Sequence, residues 1–155
     1  MAPDARQLRD VCVFCRIVCG EIPAGTVYED DHVLAFLDIA PFNPGHTLVI
    51  PKHHHVSLTT VPAALAGHLF AAAGRIAPAV MRAVDADGFN LLLSNGSCAG
   101  QVVPHVHLHI IPRHPDDGLV LPHRTRPYAT EADRQTVQAA IRQRLAAPAA
   151  VPPAP

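Results

Sequence analysis

Charge is what this sequence has least of. Asp, Glu, Lys and Arg together make up 16% of its 155 residues, and the formal net charge is −1 with histidine neutral. No overall field therefore draws the chain to nucleic acid or to anionic lipid. Tryptophan is absent. No run approaches the roughly eighteen consecutive apolar residues that a bilayer-crossing helix needs. A secretory leader is not read either. "MAPDARQLRD" is polar, and "VCVFCRIVCG" after it is too short and too rich in cysteine for a leader's apolar core. The expectation is a soluble, cytoplasmic protein with no nucleic-acid and no membrane partner. Cysteine is sparse, with four residues at Cys12, Cys15, Cys19 and Cys98. In a reducing compartment these are better read as metal ligands or redox groups than as a disulfide framework.

Histidine (11) and proline (16) are what the chain has in plenty. Its length suits one packed core. Two short β-rich runs, around Val27–Tyr28 and Val33–Asp38, flank the acidic turn "EDD". "TLVIPK" follows the turn "FNPGH" as a third strand, stopped by Pro51. From Pro62 to about Ala86 the spacing of Leu65, Leu69, Ala72, Ile76, Val80 and Val84 is helical, with a kink expected at Pro78 and an end at Gly88. "FNLLLS" reads as a buried strand, "NGSCAG" as a loop, and "VPHVHLHIIPR" as the last strand. "TEADRQTVQAAIRQRLA" reads as a terminal helix with Thr130 as its N-cap and Asp133 three residues on. The organisation expected is an N-terminal extension over 1–10, a single domain over 11–146 and a disordered Ala/Pro tail over 147–155. Several strands around one long helix make the fold class α+β, with an antiparallel sheet.

The stretch "PHVHLHIIPR" sets His105, His107 and His109 at alternate positions. On a strand these share one face, while Val106, Leu108 and Ile110 point to the other. A histidine-rich solvated face is the bland reading. Two functional readings stand beside it. One is metal binding, although alternate residues of one strand lie nearly 7 Å apart and converge poorly on one ion. The other is acid–base and nucleophilic chemistry on an anionic substrate, with one imidazole attacking and its neighbours binding phosphate. Periodicity does not separate the two. "CVFC" adds a CxxC pair, Cys12 and Cys15, half of a common zinc site. No strand precedes it, as a thioredoxin-like redox pair would require, so zinc is favoured. The remaining ligands would come from "PKHHH" at 51–55 and from the histidine triplet.

Together these residues resemble the histidine triad (HIT) nucleotide-binding proteins, in particular their zinc-carrying, bacterial, adenosine phosphoramidase-type members. The likeness runs from about residue 12 to 113, through "CVFCRIVCGEIPAGTVYEDDHVLAFLDIAPFNPGHTLVIPKHH" and "NGSCAGQVVPHVHLHIIPR". It implies a HIT-like fold: a five-stranded antiparallel sheet with one long helix and, outside the match, the C-terminal helix. It further implies a homodimer, in which the long helix and one strand meet their symmetry mates. By the resemblance His107 is the nucleophile. It attacks the α-phosphorus of a purine nucleotide (AMP- or GMP-type) phosphoramidate, ester or anhydride and forms a nucleotidyl-histidine that water cleaves.

The resemblance also assigns His109 and Gln101 to the catalytic set, with Asn95, Gly100 and Gln101 around the phosphate. The peptide N–H groups of the Gly100–Gln101 turn would be further donors. Asp38 would bind the ribose, and Phe14, Ile17, Phe36 and Ile39 the purine, with plain core as the alternative for Phe36 and Ile39. Zinc would sit on Cys12, Cys15, His54 and His105, with His53 or His55 as alternatives to His54. A closed set of four protein ligands makes the ion structural. One departure stands out: Val102 occupies a position where several phosphoramidases carry serine near the leaving amine. His32, His46, His68, His114 and His123 are expected at the surface or in turns, and Cys19 and Cys98 have no assigned role. The competing hypothesis is a nucleotide- or partner-binding regulatory module with vestigial catalysis. A zinc hydrolase is disfavoured by the closed ligand set.

Overall fold

A computed structural model of the chain describes residues 11–120 and 126–146. The expected extension over 1–10, the tail over 147–155 and His123 lie outside the described residues. Contacts divide the chain into two compact units, Met1–Leu119 and Val120–Pro155. In the first, a short helix α1 (Val13–Val18) precedes strands β1 (Thr26–Glu29), β2 (Val33–Leu37) and β3 (Thr47–Pro51). The long helix α2 (Ala63–Ala83) follows, then β4 (Gly88–Leu93) and β5 (Leu108–Arg113). All pairings are antiparallel, in the order β1-β2-β3-β5-β4. In the second unit, helix α3 (Glu131–Ala146) is capped by Thr130. The Asp133 N–H donates to the Thr130 hydroxyl at 3.1 Å, and that hydroxyl donates to the Asp133 carboxylate at 2.8 Å.

Helix α2 lies on one face of the sheet. Leu69, Ala72, Ala73, Ile76, Ala77 and Val80 recur at helical spacing and pack on Val33, Ala35, Val49, Val106, Leu108 and Ile110. Three alanines in that stripe let helix and sheet approach closely. Burying a side chain of the size of Leu69 contributes about 2 kcal/mol. By length and composition alone α2 could cross a membrane. Pro78 lies inside α2 without ending it. Its end is set earlier than expected: Asp85 takes φ +51, and the Ala86 N–H returns to the Met81 carbonyl at 2.9 Å. An aspartate supplies the left-handed turn that a glycine was expected to supply, and Gly88 instead opens β4.

The opposite face of the sheet carries Leu34, Phe36, Leu48 and Ile50, covered by Cys12, Phe14 and Cys15 of the α1 region. Strands β2 and β3 are therefore buried on both sides. Two expectations change here. Strand β4 is not buried throughout, since Phe89 and Leu91 are 40% and 41% exposed. Strand β5 begins only at Leu108, so His105, in a bend, and His107 precede it and His109 alone lies within it.

Candidate active site and metal centre

Three loops and α1 bring the histidines and cysteines together on the sheet face away from α2. Cys12 is the N-cap of α1 but makes no side-chain cap, and Cys15 lies within the first turn, so both thiols turn inward and are buried. The "HHH" loop after β3 is stitched to the triplet by a hydrogen bond from the Val106 N–H to the His55 carbonyl at 2.7 Å. That register sets the His54 and His105 rings edge to face, with centroids 5.0 Å apart. The Cys12 and Cys15 sulfurs lie 3.5 and 3.6 Å from His105 Nδ1, and Cys15 Sγ lies 3.2 Å from His54 Nδ1.

The donor set can be tested against zinc from its own hydrogen bonds. His105 Nε2 lies 2.9 Å from the Pro51 carbonyl. A carbonyl only accepts, so Nε2 carries the proton and Nδ1 presents its lone pair to the sulfurs. Burial also keeps this ring neutral, pushing His105 down to about 4. Tetrahedral zinc with bonds of about 2.0–2.3 Å needs ligand atoms roughly 3.3–3.8 Å apart. The four side chains Cys12, Cys15, His54 and His105 are within reach of that arrangement. The thiols and imidazoles fit the ion. His53 and His55 are not in the cluster.

His107 is nearly buried, and its Nδ1 lies 2.6 Å from the His105 carbonyl. The same reasoning puts the hydrogen on Nδ1, so that in the neutral ring the lone pair lies on Nε2. Phe14 wedges between the two functions, with its ring edge-to-face to His105 at 5.8 Å and to His107 at 5.3 Å. The backbone of His105 therefore orients His107, while its side chain belongs to the Cys12–Cys15–His54 cluster.

His109 lies opposite Leu48 across the β3–β5 ladder, its ring 4.9 Å from that of His107. Its Nδ1 meets His46 Nε2 at 2.8 Å. His46, expected at the surface, is 1% exposed. Parity could have found it, because 46, 48 and 50 share one face and Leu48 and Ile50 are on the site side. The Phe42 N–H donates to His46 Nδ1 at 3.2 Å. His46 Nε2 is thus the protonated nitrogen, and it donates to His109, whose own hydrogen is left on Nε2. The Asp38 carboxylate lies 3.5 Å from His46 Nδ1. With a lone pair on that nitrogen the contact is not an ion pair. Burial lowers the pKa of His46 against the pull of Asp38, and burial, with the cost of placing a further positive charge beside His107 and His46, takes His109 to about 4. Both rings are neutral at physiological pH.

The other candidates fall less uniformly. Asp38 is half-buried, accepting from the Ala40 N–H at 2.9 Å. Phe14 and Phe36 belong to the core, Ile17 is half-buried, and Ile39 is wholly exposed. The amides of Gln101 and Asn95 brace their loop. Gln101 donates to the Val56 carbonyl at 2.7 Å and accepts from the Gly96 N–H at 2.8 Å, while Asn95 accepts from the Leu58 N–H at 2.7 Å. Gly100, at φ +88, closes this turn. The N–H groups of Gly100 and Gln101 donate to the Ser97 and Gly96 carbonyls at 3.0 and 3.1 Å. They are consumed within the turn, which removes them as the expected donors to phosphate.

A family model for the HIT domain matches residues 19–116. The chain is 38% identical to adenylylsulfatase HINT3 of Arabidopsis thaliana, covering 87% of this chain and 68% of that one. It is 39% identical to adenosine 5'-monophosphoramidase HNT1 of Saccharomyces cerevisiae, covering 71% and 68%. A crystal structure of a HIT family protein from Bacillus subtilis superposes with a TM-score of 0.82 at 43% identity, covering 89% of this chain and 99% of that one. A zinc-bound histidine triad family protein from Mycobacterium smegmatis superposes with a TM-score of 0.69 at 41% identity, covering 90% and 99%.

Proposed function

The chain belongs to the HIT family, and from that premise we propose that it is a nucleotide hydrolase that cleaves at the α-phosphate of purine nucleotide phosphoramidates or related anhydrides through His107. The observation that carries the reading is the 2.6 Å contact of His107 Nδ1 with the His105 carbonyl. In the neutral ring it leaves the lone pair on Nε2, a nucleophile whose tautomer needs no rearrangement before attack. Nε2 attacks phosphorus as the bond to the leaving group breaks, and the leaving amine takes up a proton. Water then attacks the phosphorus, the N–P bond breaks, and the nucleoside monophosphate departs with His107 restored. His109 Nε2–H donates to the phosphate. Val102, 89% exposed, has no side-chain proton to give the leaving amine, and neutral His109 donates a hydrogen bond without releasing its hydrogen, so that proton comes from water.

Zinc on Cys12, Cys15, His54 and His105 would tie α1, the "HHH" loop and the triplet together. Bound there, the ion supplies rigidity, and four protein ligands leave it no open position. A second copy of the chain is the partner we assign. β4 is an edge strand, and Phe70, Phe89 and Leu91 expose apolar surface on and beside α2. The cytoplasm, where thiols stay reduced, is the compartment we assign. The direct test is incubation with adenosine 5'-phosphoramidate. Release of AMP and ammonia well above the uncatalysed rate is expected, and binding without turnover would refute the enzymatic reading in favour of a binding module.

A further inference from the structure

The turn Pro41–Gly45 is more than a connection between β2 and β3. Phe42, 53% exposed, stacks its ring on His46 with centroids 5.2 Å apart and planes at 21°. His109 follows edge to edge through the Nε2···Nδ1 hydrogen bond, its ring centroid 5.1 Å from that of His46 and its plane at 30°. The turn is anchored from behind. Asn43 donates from Nδ2 to the Pro112 carbonyl and to the Asp117 carboxylate, both at 2.9 Å, and Arg113 Nε holds Asp117 at 2.7 Å. The His46 N–H closes the turn on the Asn43 carbonyl at 3.0 Å.

We propose that Phe42 is a positioning residue for the His46–His109 pair: its ring keeps His46 out of water and its N–H holds His46 in the Nε2–H form. His109 is then compelled to direct its own N–H away from His46. That this hydrogen meets a phosphate rests on the function proposed above; the tautomer does not. Three groups face His46: Asp38 from the end of β2, and His107 and His109 from the β5 segment. Asp38 favours a proton on Nδ1, and burial opposes it. Removing the ring lets water in, and Asp38 then wins. A proton on Nδ1 cannot coexist with the Phe42 N–H donated to the same atom, so the turn and the pair come apart together.

The test is 15N NMR of histidine-labelled wild type, Phe42→Ala and Phe42→Trp, with signals assigned by His46→Gln. In wild type His46 is expected as the Nε2–H tautomer. In Phe42→Ala its titration should rise by about one pH unit, and Phe42→Trp should restore it. A wild-type His46 protonated on Nδ1, or an unchanged titration in Phe42→Ala, overturns the proposal. On adenosine 5'-phosphoramidate, kcat of Phe42→Ala should drop on the order of tenfold at pH 6 and recover at pH 8, with KM little changed. An equal loss at all pH values, or a change in KM alone, would assign Phe42 to packing or to base contact instead. The NMR measurement needs no turnover, so an inactive wild type would sink the enzymatic reading and not this one.

Discussion

His107→Ala is expected to lower kcat on adenosine 5'-phosphoramidate by about 10⁴-fold or more. That corresponds to roughly 5 kcal/mol of lost transition-state stabilisation. The size follows from the role: without Nε2 no N–P bond forms, and water must attack directly without a base at that position. The fold should survive, because His107 is not among the four clustered ligands and its loss leaves a hole beside Phe14 rather than an unpaired charge. Unchanged zinc content and a melting temperature within a few degrees of wild type would show this. Turnover reduced by less than tenfold would mean that the 2.6 Å contact with the His105 carbonyl prepares no nucleophile.

Cys15→Ser is expected to abolish stoichiometric zinc and to lower the melting temperature by about 10 °C or more. Cys15 lies within 3.6 Å of both imidazole ligands, and serine is a poor zinc ligand at neutral pH. Binding energy at a structural zinc site is folding energy, which an ion on these four side chains would put into tying α1 and the "HHH" loop to the sheet. Activity should fall as well, by about 10- to 100-fold in kcat, because the backbone of His105 carries the acceptor that orients His107. Zinc retained at one per chain in Cys15→Ser would refute the site. Zinc lost with full activity would sever the link between metal and nucleophile.

Much of the molecule was legible in its residues, and the exceptions have physical reasons. The strands and the long helix could be read because β2, β3 and α2 bury apolar residues at their natural periods. CxxC with two histidine clusters indicated the four residues that meet. What periodicity could not give was conformation around the triplet. His105 and His107 lie ahead of the strand, and it is a hydrogen bond to a backbone carbonyl, not strand alternation, that gives each its job. His46 was passed over because one polar residue beside Pro44–Gly45 looks like part of a turn, although it begins the register of Leu48 and Ile50. Asn95 and Gln101 show the converse. Their side chains are expected at the phosphate, and the structure shows the Asn95 oxygen and the Gln101 amide tying their loop to the segment 56–58.

The covalent route through His107 is the centre of this account, and stereochemistry at phosphorus tests it most directly. Hydrolysis of a P-chiral adenosine phosphorothioamidate in ¹⁸O-water would be followed by assignment of the product's configuration. Two successive in-line displacements, one by His107 and one by water, must give net retention, whereas inversion would mean that water attacks the substrate directly and that no nucleotidyl-histidine lies on the path.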